Sequence, residues 1–122
     1  MTQPLALLLY EKLLPGTQLM NRLQDLGWRV QTLHDGTALS RAAQEHKPVL
    51  VFVDVGTNNA TAGDSIRALR QNGATSHIPV IAFGGDEPLQ ASASQAGATL
   101  VASDAAVLQH LNQFIDRALS EF

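Results

Sequence analysis

A chain of 122 residues has the size of one domain and is long enough to bury a real core, and with 45% hydrophobic and 16% charged residues it is not a disordered chain. Its 11 acidic and 8 basic residues leave a net charge of -3, which argues against a nucleic-acid-binding face, and the absence of cysteine removes disulfides, thiol nucleophiles and cysteine-ligated metals. No apolar run reaches the roughly 18 residues of a membrane span, and Pro4 to Tyr10 has neither the basic leader nor the cleavage site of a signal peptide. A single domain over 1–122, lying in the cytoplasm, is therefore expected.

Leu5 to Tyr10 is a continuous apolar run and reads as the first strand, with Glu11 and Lys12 at its end. Leu19, Met20, Leu23 and Leu26 recur at helical spacing until Gly27 stops the helix. Arg29 to Leu33 alternates, as a strand near a sheet edge does. Asp35 or Thr37 can cap a helix that carries Leu39, Ala42 and Ala43 on one side, and Lys47-Pro48 ends it, because a residue before proline avoids helical dihedrals.

The central strand follows. Val49 to Val53 is unbroken apolar sequence closed by Asp54, the pattern of a strand buried on both faces. Thr57 to Ala62 reads as a polar loop, and Gly63 or Asp64 as the opening of a helix with Ile66 and Leu69 inward and Asn72-Gly73 as its stop. Val80 to Phe83 is the fourth strand, Gly84 to Asp86 a turn, and Glu87-Pro88 the first turn of a helix rich in alanine and serine. Leu100 to Ala102 is a short fifth strand. Ser103 or Asp104 caps one last helix, with Val107, Leu108, Leu111, Phe114, Ile115 and Leu119 as its apolar stripe. Strand and helix alternate five times, which predicts a parallel sheet covered on both faces. In such sheets ligands and chemistry collect at the carboxyl ends of the strands, where Asp54 falls.

The run Lys47-Pro48 to Asp54, together with Leu26-Gly27-Trp28, Ile78-Pro79-Val80-Ile81-Ala82 and Gln95-Ala96-Gly97-Ala98, resembles the receiver domain of bacterial two-component response regulators over nearly the whole chain. The resemblance implies a flavodoxin-like (CheY-like) three-layer sandwich, a five-stranded parallel sheet of order 2-1-3-4-5. It makes Asp54 the phosphoacceptor candidate. It also implies a Mg²⁺ site held by Glu11, Asp54 and the Gly56 carbonyl.

The chain departs from the family pattern at each remaining functional position. One of the two acids after the first strand is Tyr10. The hydroxyl residue ending the fourth strand is Gly84, the lysine ending the fifth is Asp104, and the signalling aromatic of the fifth is Val101. Phosphoryl transfer to a carboxylate needs metal and cationic charge at the moving oxygens. Tyr10 weakens the metal and Asp104 replaces the cation. Readout needs a two-state element, and Gly84 and Val101 remove it.

The expectation is thus a degenerate receiver that is not an enzyme, requires no cofactor, binds Mg²⁺ weakly at most, and acts through protein partners. A histidine kinase or an output protein would dock on the face of the fourth helix, fifth strand and fifth helix; neither nucleic acid nor membrane is a partner, and a homodimer is compatible. Two alternatives stay open: a receiver phosphorylated slowly at Asp54, and a small flavodoxin-like ligand-binding or catalytic domain. His34, His46, His77 and His110 show no zinc spacing, and His34-Asp35-Gly36 and Gly84-Gly85 read as turns.

Overall fold

The computed structural model describes residues 4–10, 13–34, 38–55, 59–85 and 87–120. Five strands, β1 (Leu5–Leu9), β2 (Arg29–Leu33), β3 (Leu50–Asp54), β4 (Val80–Phe83) and β5 (Leu100–Ala102), alternate with helices α1 (Leu13–Asp25), α2 (Leu39–His46), α3 (Asn59–Gln71) and α4 (Glu87–Ala96), and two further helices, α5 (Asp104–Gln109) and α6 (Leu111–Ser120), close the chain. The strands are all parallel, in the order β2-β1-β3-β4-β5, as the alternation requires. The register aligns Leu9 with Val53, Asp54 with Phe83 and Phe83 with Ala102, which brings the carboxyl ends of the inner strands to one edge.

The unbroken apolar runs exist because both faces of the sheet are covered. Successive side chains alternate between them. Leu7, Leu9, Val51, Val53, Val80 and Ala82 pack with Leu39, Ala43, Ile66, Leu69 and Ala93 of α2 to α4. Ala6, Leu8, Leu50, Phe52, Ile81 and Phe83 pack with Leu19, Leu23, Val107, Leu111, Ile115 and Ala118 of α1, α5 and α6. Leu8, Phe52 and Ile81 are fully buried, each contributing about 1.5–3 kcal/mol of hydrophobic stabilisation. β2, at the sheet edge, is only partly covered, in keeping with its alternating sequence.

Strand β1 ends at Leu9, one residue short of the expected Tyr10, and other boundaries differ too. Strand β3 begins at Leu50, and Val49 is 42% exposed, because it precedes the covered part of the sheet. Helix α3 begins at Asn59 rather than at Gly63 or Asp64: its first turn is polar but contains no helix breaker, so composition alone made it look like a loop. Helix α2 has Ala38 at its amino cap with no side-chain cap, while Asp35 and Thr37 lie outside the described residues.

The last helix is two helices. His110 breaks it at φ -122° and ψ 34°, although the ladder carries on around it, His110 N–H donating to the Ala106 carbonyl and Phe114 N–H to the His110 carbonyl. No glycine or proline marks this bend. Val107, Leu111, Ile115 and Ala118 are the buried positions, and Leu119, one residue past the last of them, is 38% exposed.

At the opposite, amino edge one arginine ties several segments together. Arg70 of α3 donates Nε to the Gly97 carbonyl (2.8 Å), Nη1 to the carbonyls of Ser76 (2.9 Å) and Ile78 (2.6 Å), and Nη2 to Thr99 Oγ1 (3.1 Å). Thr99 Oγ1 also accepts from Val80 N–H at 3.1 Å. One guanidinium fork thus ties α3 to two separate segments. Burial pulls its pKa below the ordinary arginine value, yet a guanidinium stays charged at neutral pH.

Candidate functional site

Three backbone segments converge on the carboxyl edge of the sheet. Val55 N–H donates to the Phe83 carbonyl at 2.9 Å, and Gly84 N–H to the Ala102 carbonyl at 3.0 Å. These bonds carry the ladder past the strand ends and bring half-buried Asp54, buried Gly84 and half-buried Asp104 together. Gly84 and Gly85 both have positive φ, +85° and +72°, a conformation that glycine enters without the steric cost a side chain meets. Gln90 of α4 closes this turn, its Nε2 lying 3.3 Å from each of the Gly84 and Gly85 carbonyl oxygens.

The geometry around Gly84 decides what the site can do. A Cβ placed there would stand 2.8 Å from Asp104 Oδ1 and 3.1 Å from Asp54 Oδ1. Two carboxylates therefore close around the point where another residue would begin its side chain. Asp104 is held there by the start of α5: Ser103, extended at φ -74° and ψ 162°, accepts the Ala106 N–H on its Oγ at 3.1 Å, which sets Asp104 in the first helical turn, where an acid is favourable.

Tyr10 follows β1 and is 6% exposed. Its ring belongs to the core beneath α1, α5 and α6, with Trp28, Leu19 and Leu23. His34, at the end of β2, meets that ring edge-on, with centroids 4.8 Å apart and planes at 78°, and its Nδ1 lies 3.2 Å from the Tyr10 carbonyl oxygen. Val101 is half-buried against the α2–α4 core. Glu11 and Gly56, two of the three expected metal donors, lie outside the described residues, so the structure follows that set only at Asp54. Among the described residues no group of three or more His, Asp or Glu is placed to hold a metal. The donors that do converge, carboxylate oxygens, are the kind that hard divalent cations take.

Sequence reasoning places Asp54, Gly84 and Asp104 together at the carboxyl ends of the strands, as found, but does not show that the Asp104 carboxylate lies in the side-chain space of Gly84. It also passes over His34 as a turn residue, and no spacing or motif betrays its contact with Tyr10.

No protein-family profile and no curated protein matches this chain. Solved structures do. A protein of Chloroflexus aurantiacus assigned as a response regulator superposes with a TM-score of 0.87 at 17% identity, over 98% of this chain and 99% of that one. The receiver domain of a Pseudomonas aeruginosa sensor histidine kinase, solved with a magnesium ion coordinated in its active site cleft, gives 0.85 at 18% identity over 98% and 99%. The Vibrio cholerae chemotaxis protein CheY4 gives 0.82 at 19% identity over 97% and 100%. The chain has the CheY-like, flavodoxin-like fold of receiver domains. No helix among the described residues is long and apolar enough to cross a membrane.

Proposed function

We propose that this chain is an atypical receiver domain that works in signal transduction by docking to other proteins, with phosphoryl chemistry impaired at Asp54. The observation that carries the reading is the placement of Asp104 Oδ1 at 2.8 Å, and of Asp54 Oδ1 at 3.1 Å, from the side-chain position of Gly84. Phosphorylating a carboxylate develops negative charge that a metal and a cation must offset. Here one neighbour of the acceptor is a second carboxylate, and a phosphoryl group on Asp54 would add charge beside it. A hydroxyl side chain at position 84 would need the space that Asp104 takes and a backbone conformation with φ at +85°.

Mg²⁺ enters this reading as a weak ligand of Asp54, Glu11 and the Gly56 carbonyl. Magnesium in the cleft of the Pseudomonas receiver domain supports the location, and Tyr10, its ring packed in the core, supports the weakness. The domain is read as a binding module and not as an enzyme. Its docking face is α4, β5 and the last helix, here α5 with α6: exposed Ala91, Ser92 and Ser94 on α4 let a partner backbone approach closely, and a hollow of about 130 Å³ on α5 and α6 offers Phe114 beside His110, Gln113 and Arg117. A histidine kinase or an output protein is the partner class.

A second reading has its own observation. Asp54 is half-buried rather than sealed, so a small phosphodonor can reach it, and a slow phosphorylated receiver follows. Replacing the chromosomal copy by Asp54→Asn separates the two. An allele that behaves like wild type, where a deletion does not, is expected for the docking module; an allele that behaves like the deletion supports the phosphorylated receiver.

A further inference from the structure

We infer a second site, at the amino edge of the sheet, for a small monocarboxylate carrying a short apolar body. A hollow of about 370 Å³ lies there between the end of α2 and the loop joining α3 to β4, lined by Gln44, Lys47, Pro48, Ala74, His77 and Ile78. That volume is in the range of small-ligand pockets, which are mostly apolar with a few convergent polar groups. Exposed Ala74 and the buried Pro48 and Ile78 supply the apolar lining. Lys47 supplies a cation and His77 an imidazole, and among the described residues the lining holds no acid, in a chain whose net charge is -3. Charge complementarity therefore selects an anion, and the apolar lining selects one with a hydrocarbon body.

The backbone of both walls is fixed, so the lining residues are carried on segments that need no reordering when a ligand binds. On one side Lys47 is the only non-glycine with positive φ among the described residues (φ 49°, ψ 60°), and its N–H donates to the Ala43 carbonyl at 3.0 Å. This turn and Pro48 end α2 abruptly and leave Lys47 at the rim. On the other side Thr75, fully buried, donates its hydroxyl to the Leu69 carbonyl at 2.7 Å, Ala74 N–H donates to Asn72 Oδ1 at 2.9 Å, and Ile78 N–H to the Thr75 carbonyl at 3.1 Å. The carbonyls flanking His77, those of Ser76 and Ile78, are both held by Arg70 Nη1. A loop with this many internal bonds is a built wall rather than a passing surface hollow.

The test is amide chemical-shift titration of the full chain with sodium hexanoate, against two probes: sodium acetate, which has the charge without the body, and 1-hexanol, which has the body without the charge. Saturable shifts confined to residues 44–49 and 74–78 with hexanoate are expected, with binding weakened about tenfold in Lys47→Gly. Glycine is chosen because it keeps the positive φ without strain, and an unchanged melting temperature confirms the fold; His77→Gln gives a second, independent arm. No saturable shift at millimolar hexanoate, equal binding by both variants, equal shifts with 1-hexanol (an apolar cleft only) or equal shifts with acetate (an adventitious ion only) would each overturn the inference.

Discussion

At Gly84 the backbone and its surroundings forbid a side chain for two separate reasons: φ is +85°, and the Cβ position is 2.8 Å from Asp104 Oδ1. Gly84→Thr, which restores the residue type that the resemblance expects, should therefore lower the unfolding free energy by about 2 kcal/mol, measured by urea denaturation. Removing the carboxylate in the Asp104→Ala background should return the steric part of that loss but not the conformational part. A double-mutant cycle reads the coupling, expected between about 0.5 and 2 kcal/mol. Tyr10 sets a similar limit. Because its ring is core, Tyr10→Asp does not simply rebuild a metal site: it buries a carboxylate and empties space beside Trp28, Leu19 and Leu23, and a loss of about 3 kcal/mol is expected. Mg²⁺ titration followed by Trp28 fluorescence should show weak binding in the wild type, and tight binding there would contradict the role given to Tyr10.

The elements were legible where one physical rule dominates. The inner strands β1, β3 and β4 announced themselves as continuous apolar runs because both faces of the sheet are covered, and the edge strand β2 announced itself by alternation. The gathering of Asp54, Gly84 and Asp104 at one sheet edge was legible too, since it follows from the strand order; the start of α3 and the break at His110 were not, since no glycine or proline marks either. Arg70 is the clearest case. Nothing in its local sequence marks it, yet its four bonds tie α3 to the loop before β4 and to the turn between α4 and β5. Arg70→Ala should cost about 2–3 kcal/mol, and Arg70→Lys should recover little, because one ammonium cannot span the acceptors a planar fork reaches. Gly97 belongs to the same fastening: with φ at +122° and a Cβ position 2.6 Å from Arg70 Cγ, Gly97→Ala should displace the fork, and hydrogen exchange should quicken at Ser76, Ile78 and Thr99 together.

At the scale of the whole molecule, the two edges of the sheet divide the work. The carboxyl edge keeps an aspartate, Asp54, at the end of β3, but surrounds the neighbouring turn with a second carboxylate. The amino edge is locked by Arg70. The fold itself matches receiver domains over nearly the full chain, so the question of phosphoryl chemistry rests on the side chains at Asp54 and their charge. The central claim is that Asp104 and Tyr10 leave Asp54 a poor phosphoacceptor. Intact-mass spectrometry after incubation with acetyl phosphate and Mg²⁺ tests it most directly, with Asp54→Asn as the blank and Asp104→Lys as the variant that returns a cation to the site. The wild type should remain largely unmodified while Asp104→Lys gains an Asp54-dependent phosphoryl adduct about tenfold faster; near-complete, Asp54-dependent labelling of the wild type, unchanged in Asp104→Lys, would contradict the account and make the protein a working phosphorylation switch.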